Sequence, residues 1–118
     1  MKITQYLHTA ILVTDLDKAE HFYGTVLGLP KVERSLKFLG AWYQIGNYQI
    51  HLIAAPSIPE PQNEKWGRNA HIAFSVADLD IAKQQLIDNN FPIQPSASGR
   101  PAVFTKDPDG NIVELSQQ

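Results

Sequence analysis

Cysteine is absent from this chain of 118 residues, and with it go disulfide frameworks, thiolate zinc sites, iron–sulfur clusters and cysteine nucleophiles. Excess charge of one sign is also missing. Ten Lys+Arg against twelve Asp+Glu leave a net charge of -2 with no basic run, so neither nucleic acid nor an anionic membrane surface is an expected partner. Long apolar runs are lacking too: near the start the uninterrupted one spans only Ala10 to Val13, too short for a signal-peptide core or a membrane span. A small-molecule substrate is the expected partner and the cytoplasm the expected compartment. With 43% hydrophobic residues the chain suits one domain, residues 1–118, that folds without a structural metal. A metal, if bound, would be functional and would be held by His and carboxylates.

What the sequence does contain is a repeat. His8-Thr9-Ala10-Ile11-Leu12-Val13-Thr14-Asp15-Leu16-Asp17-Lys18-Ala19 returns as His71-Ile72-Ala73-Phe74-Ser75-Val76-Ala77-Asp78-Leu79-Asp80-Ile81-Ala82, with seven identities in twelve positions and an offset of 63. At the same offset Ile50-His51-Leu52 falls on Val113-Glu114-Leu115. The chain therefore reads as two modules, about 4–55 and about 67–118, joined by a linker of about 56–66 that holds Pro56, Pro59 and Pro61.

Each module reads as βαβββ, an α+β design. Leu7 to Val13 has the aliphatic and β-branched content of a strand. A helix follows, with Asp17 as its expected cap, Glu20 three residues on, an apolar face of Ala19, Phe22, Tyr23, Val26 and Leu27, and Gly28 as its stop. The second helix starts equivalently at Asp80 and runs to Asn89-Asn90. Further strands are expected at about 31–37, 41–45 and 48–54, and at about 93–95, 102–106 and 112–116. Gly46-Asn47 and Asp109-Gly110 suit the tight turns of the last hairpins.

The repeat also aligns chemistry. His8 matches His71 and His51 matches Glu114, each pair spanning the same interval within its module. Strand alternation puts His8 on one face with Ala10 and Leu12, and His51 with Gln49 and Ile53. Related by a pseudo-twofold axis, two such modules would bring His8, His51, His71 and Glu114 toward one point. That donor set suits one divalent ion of the zinc, nickel, iron, cobalt or manganese kind and has too few oxygens for calcium. His21 has Gln84 as its repeat partner and reads as a helix-surface residue without a role in the site.

The stretches HTAILVTDLDKAEHFYGTVLGL, AHIAFSVADLD and KDPDGNIVEL resemble the vicinal oxygen chelate superfamily, the glyoxalase, bleomycin-resistance and extradiol-dioxygenase group, over nearly the whole chain. The resemblance implies a cupped mixed β-sheet around a metal that chelates two adjacent substrate oxygens and stabilises the negative charge developing there. It makes His8, His71 and Glu114 metal ligands and puts the remaining ligand at His51, where glyoxalase I usually has Glu and methylmalonyl-CoA epimerase usually Gln. GAWYQIGNYQIHL is more similar to the glyoxalase-like branch than to either. A homodimer is expected as well, since open sheet edges and the family's habit of joining modules across chains favour one.

Three activities follow from the resemblance. A glyoxalase-like lyase or isomerase would use Glu114 as its catalytic base. An extradiol-type dioxygenase would use His8, His71 and Glu114 as a two-His-one-carboxylate triad on iron. A bleomycin-resistance-type protein would bind a small molecule without catalysis. Trp42, Tyr43, Gln44, Gln49, Arg100, Phe104 and Lys106 lie on or beside the strands of the expected cup, and alternation turns about half of them inward. Ala10, where fosfomycin thiol transferases carry threonine, sets the chain apart from those.

Overall fold

The computed structural model describes residues 1–33 and 37–118. The chain divides into two compact units, Met1–Ile58 and Pro59–Gln118. Each contains one four-stranded mixed sheet and one main helical segment, and the class is α+β.

In the first unit β1 (His8–Val13) leads into α1 (Leu16–Glu20), which continues as a π-helical turn, His21–Val26. The strands β2 (Lys31–Val32), β3 (Gly40–Ile45) and β4 (Tyr48–Ala54) follow, in the sheet order β1-β4-β3-β2. Strands β1 and β4 are parallel, and the other neighbours are antiparallel. Alternation separates the sheet's two faces. Tyr43, Ile50 and Leu52 are buried on the helix side, where the Tyr43 ring lies against Gly24. Ala19, Phe22, Tyr23 and Val26 supply the helical half of that core. The opposite face carries His8, Trp42, Gln44, Gln49 and His51.

The second unit repeats this order with β5 (His71–Val76), α2 (Leu79–Asp88), β6 (Ile93–Pro95), β7 (Ala102–Lys106) and β8 (Ile112–Gln117), arranged β5-β8-β7-β6. A short 3₁₀ turn, Trp66–Arg68, precedes it. Val103, Val113 and Leu115 join Leu79 and Leu86 in the core, and the Thr105 hydroxyl donates to the Pro92 carbonyl at 2.8 Å. His71, Phe104, Lys106 and Glu114 lie on the other face.

Both helices are capped two residues earlier than expected. Asp15 and Asp78, in extended backbone, accept from the Lys18 and Ile81 amides at 3.1 Å, leaving Asp17 and Asp80 inside the first turn near the positive end of the helix dipole. The Asp-Leu-Asp repeat offers two carboxylates, and only the first precedes the turn with amide donors still unpaired. Of the strand expected at about 31–37, Lys31–Val32 is strand and Glu33 and Lys37 are not, while residues 34–36 lie outside the described residues. Gly28, Gly46, Gly110 and Asn90 adopt positive φ where helix ends and hairpins need it.

The repeat is gapped in two places that cancel. Trp42 pairs with His51, but the residue paired with Glu114 is Phe104, an offset of 62; Lys31 and Ile93, which pair with Tyr43 and Thr105, are also 62 apart, whereas β1 and β5, and β4 and β8, keep 63. The hairpin of the second unit is one residue longer. Its loop is organised by buried Asp107, whose carboxylate accepts from the Asp109 and Asn111 amides, both at 2.9 Å, and from the Asn111 side chain at 2.8 Å.

Among the described residues no helix is long and apolar enough to cross a membrane.

Candidate metal and substrate site

Within the first unit, parallel pairing sets Ala10 opposite His51, with His8 one pleat earlier on the same face. A methyl group beside His51 leaves room for the His8 ring. The two imidazoles stack at 4.1 Å with planes 18° apart, and the Trp42 indole covers the other face of His51 at 3.7 Å and 5°. His51 is 7% exposed, whereas His8 is open to solvent.

A chain of amides fixes the proton on His51. The Gly46 carbonyl can only accept, so the Gln44 Nε2 donates to it at 2.7 Å and turns its own Oε1 toward the Gln49 Nε2, 2.8 Å away. Gln49 then presents Oε1 to His51 Nε2 at 2.9 Å. Neutral His51 therefore carries its proton on Nε2, and the ring lone pair lies on Nδ1.

The second unit sets Ala73 opposite Glu114, with His71 one pleat earlier. His71 Nδ1 is 2.7 Å from the Asn69 carbonyl, a contact that requires the proton on Nδ1 and leaves the lone pair on Nε2. Histidines oriented for metal ligation commonly show this arrangement. The Phe104 ring meets His71 edge-on at 5.4 Å. Glu114, 8% exposed, accepts from Arg100 at 3.1 Å.

The two units thus juxtapose the sequence-predicted residues pairwise: His8 with His51 on one sheet face, and His71 on the same face as Glu114. Neither unit alone gathers three metal-ligating side chains among its described residues. By chemistry alone, imidazole and carboxylate donors suit a divalent ion of borderline softness: in the second unit His71 offers an oriented Nε2 and Glu114 a carboxylate, and in the first His8 is accessible and His51 has its Nε2 engaged by Gln49.

His21 is exposed at the start of the π-helical turn, away from the sheet face that carries His8 and His51. Tyr43 faces the helix and not the site. Lys106 holds its ammonium 4.6 Å from the centroid of the Trp66 ring. Trp66 had no signal in the sequence pattern, because its position depends on the Gln94 side chain accepting from the Trp66 amide at 2.9 Å across 28 residues.

Comparison with known proteins agrees with this arrangement of strands. The model of the Glyoxalase/Bleomycin resistance protein/Dioxygenase superfamily matches residues 5–115. The chain is 30% identical to protein YwkD of Bacillus subtilis over 94% of both chains. It is 31% identical to the mitochondrial methylmalonyl-CoA epimerase of Homo sapiens, over 93% of this chain and 72% of the epimerase. Among solved structures, a glyoxalase family protein from Bacillus anthracis superposes with a TM-score of 0.80 at 24% identity, covering 100% of this chain and 98% of that one. The lactoylglutathione lyase of Agrobacterium tumefaciens gives 0.72 at 25% identity, covering 99% and 96%. The chain belongs to the Glyoxalase/Bleomycin resistance protein/Dioxygenase superfamily.

Proposed function

We propose that the protein is a metal-dependent enzyme of glyoxalase-like lyase or isomerase type, acting on a small molecule that chelates the metal through adjacent oxygens. His8, His51, His71 and Glu114 form the ligand set, the pair of one unit combined with the pair of another. The observation that carries the reading is the duplicated register: Ala10 opposite His51 and Ala73 opposite Glu114 give both units the same placement of ligand-type side chains. Methylmalonyl-CoA epimerase and lactoylglutathione lyase among the similar proteins support a proton-moving reaction.

When bound, the divalent ion supplies Lewis acidity to two neighbouring substrate oxygens. Glu114 takes a proton from the carbon beside the substrate carbonyl and returns it to the adjacent atom, so the reaction is redox-neutral overall. Trp42 and Phe104 give the substrate apolar walls next to the donors.

A second reading has its own observation. The Nε2 of His51 is already engaged by Gln49, and if it stays so, His8, His71 and Glu114 remain as the two-His-one-carboxylate triad of an extradiol-type dioxygenase. Turnover assays separate the two. Proton exchange into a 2-oxo aldehyde or its thiol adduct without oxygen uptake supports the first; oxygen consumption with a catechol replaces it by the second. Metal-free binding with no turnover of either would leave a bleomycin-resistance-type binding protein and overturn both.

We further propose a cytoplasmic homodimer. Mixing His8→Ala with Glu114→Gln chains tests how the units combine: restored metal binding in the mixture means that each site draws on two chains, and no restoration means that each chain builds its own. A monomer by light scattering at micromolar concentration removes the dimer.

A further inference from the structure

Glu114 is buried, and its charge is met by the Arg100 guanidinium. Arg100 Nη2 lies 3.1 Å from Glu114 Oε1, with side-chain exposures of 53% and 10% respectively. The loop between β6 and β7 is built to hold that guanidinium. Gly99 adopts φ 77°, and the Ser98 hydroxyl accepts from both the Arg100 amide at 3.3 Å and the Arg100 Nε at 3.0 Å. The Ser96 hydroxyl lies 2.8 Å from that of Ser98. A merely solvated arginine needs no such support, whereas one that must reach a fixed point does.

We propose that Arg100 is the substrate-recognition residue of the site and selects small molecules bearing a carboxylate or a comparably anionic oxygen pair. The inference rests on the metal reading above. A buried carboxylate without a counter-charge is costly, so in the metal-free protein Arg100 balances Glu114. When a divalent cation takes Glu114 as a ligand, the guanidinium is left beside a like charge with its partner's charge already satisfied. It then favours a new anion, and the planar fork of five N–H donors matches a carboxylate in bidentate fashion. Lys106, on the same face of the sheet, is held over Trp66 and adds a second positive charge to that surface.

This arrangement makes the metal and Arg100 competitors for Glu114 but makes the metal and an anionic substrate cooperative. Removing the guanidinium should therefore move the two affinities in opposite directions. A purely structural arginine would lower both or neither.

The test is cobalt(II) titration by visible absorption, followed by oxalate titration of the cobalt-loaded protein, for the parent, Arg100→Gln and Arg100→Lys, each checked for folding by circular dichroism. In Arg100→Gln cobalt should bind at least threefold more tightly and oxalate at least tenfold more weakly, with Arg100→Lys between it and the parent. Cobalt binding by the parent with unchanged oxalate affinity in Arg100→Gln overturns the role of Arg100 alone. Weaker binding of both probes in Arg100→Gln also overturns it, in favour of a structural role. No cobalt binding by the parent overturns the metal reading and this inference together.

Discussion

The Trp42 indole lies 3.7 Å from the His51 imidazole with planes 5° apart, so one face of a ligand-type histidine is sealed by a cross-strand neighbour. The contact orients the ring at little entropic cost, since both side chains stand on paired strands. Trp42→Ala should destabilise the protein by about 2 kcal/mol, less than a fully buried tryptophan because Trp42 is half-buried. Metal affinity should fall as well, because the freed ring regains rotamers. Urea unfolding and a metal titration check the two effects.

Gln49 should set the tautomer of His51. In Gln49→Leu the acceptor for His51 Nε2 is gone, with a stability loss of about 1 kcal/mol. Long-range proton–nitrogen NMR correlations should show the Nε2–H form in the parent and a mixture in the variant. A mixture in both would mean that the Gln44–Gln49 chain does not control the ring.

Much of the scaffold was legible in the sequence because the pattern is duplicated. His8–Val13 and His71–Val76 reveal themselves as strands by their aliphatic and β-branched content and by ending at the same Asp-Leu-Asp, and Gly28, Asn90, Gly46 and Gly110 mark turns that require positive φ. Alternation placed His8 and His51 only on faces of their own strands, and the constant offset matched them to His71 and Glu114; their stacking comes from the parallel register of β1 and β4. The Arg100–Glu114 contact was not legible, since it depends on hydrogen bonds inside the loop of residues 96–101, where the Ser98 hydroxyl holds the Arg100 side chain. The gapped hairpin was equally hidden: its extra residue is cancelled by one residue fewer between β5 and β6 than between β1 and β2, so the motifs at the two ends of the module stay in phase and only the strand register exposes it. The choice between Asp15 and Asp17 as cap turns on backbone angles that composition does not encode.

Tyr43 gives the fold an alkaline limit. Burial pushes its phenol from 10.0 up to about 12, with the charge of Glu20 adding to the shift. A pKa raised in the folded state means stability that is complete below pH 10.0 and lost as pH rises toward about 12. At about 1.4 kcal/mol per unit, the loss approaches 3 kcal/mol. Urea midpoints should fall between pH 9.5 and pH 12, and Tyr43→Phe should flatten that part of the profile.

Two glycines should respond unequally to alanine. A Cβ at Gly40 would sit 2.4 Å from the Leu52 carbonyl oxygen, a backbone atom that cannot swing aside, so Gly40→Ala should cost about 3 kcal/mol or more. At Gly24 the nearest atoms are 3.3 Å away on the Tyr43 ring, and about 1 kcal/mol is expected. Denaturant midpoints of the two variants give the comparison.

His8 and Glu114, one from each unit, are the residues on which the proposed metal centre most depends. His8 is exposed and Glu114→Gln keeps the shape of the side chain, so both His8→Ala and Glu114→Gln should fold. Metal stoichiometry by elemental analysis after equilibration with a divalent ion and dialysis is the decisive measurement. One ion per site in the parent, and a loss of at least tenfold in affinity in each variant, is the expected result; full parental stoichiometry and affinity in both folded variants would show that these residues do not hold the metal.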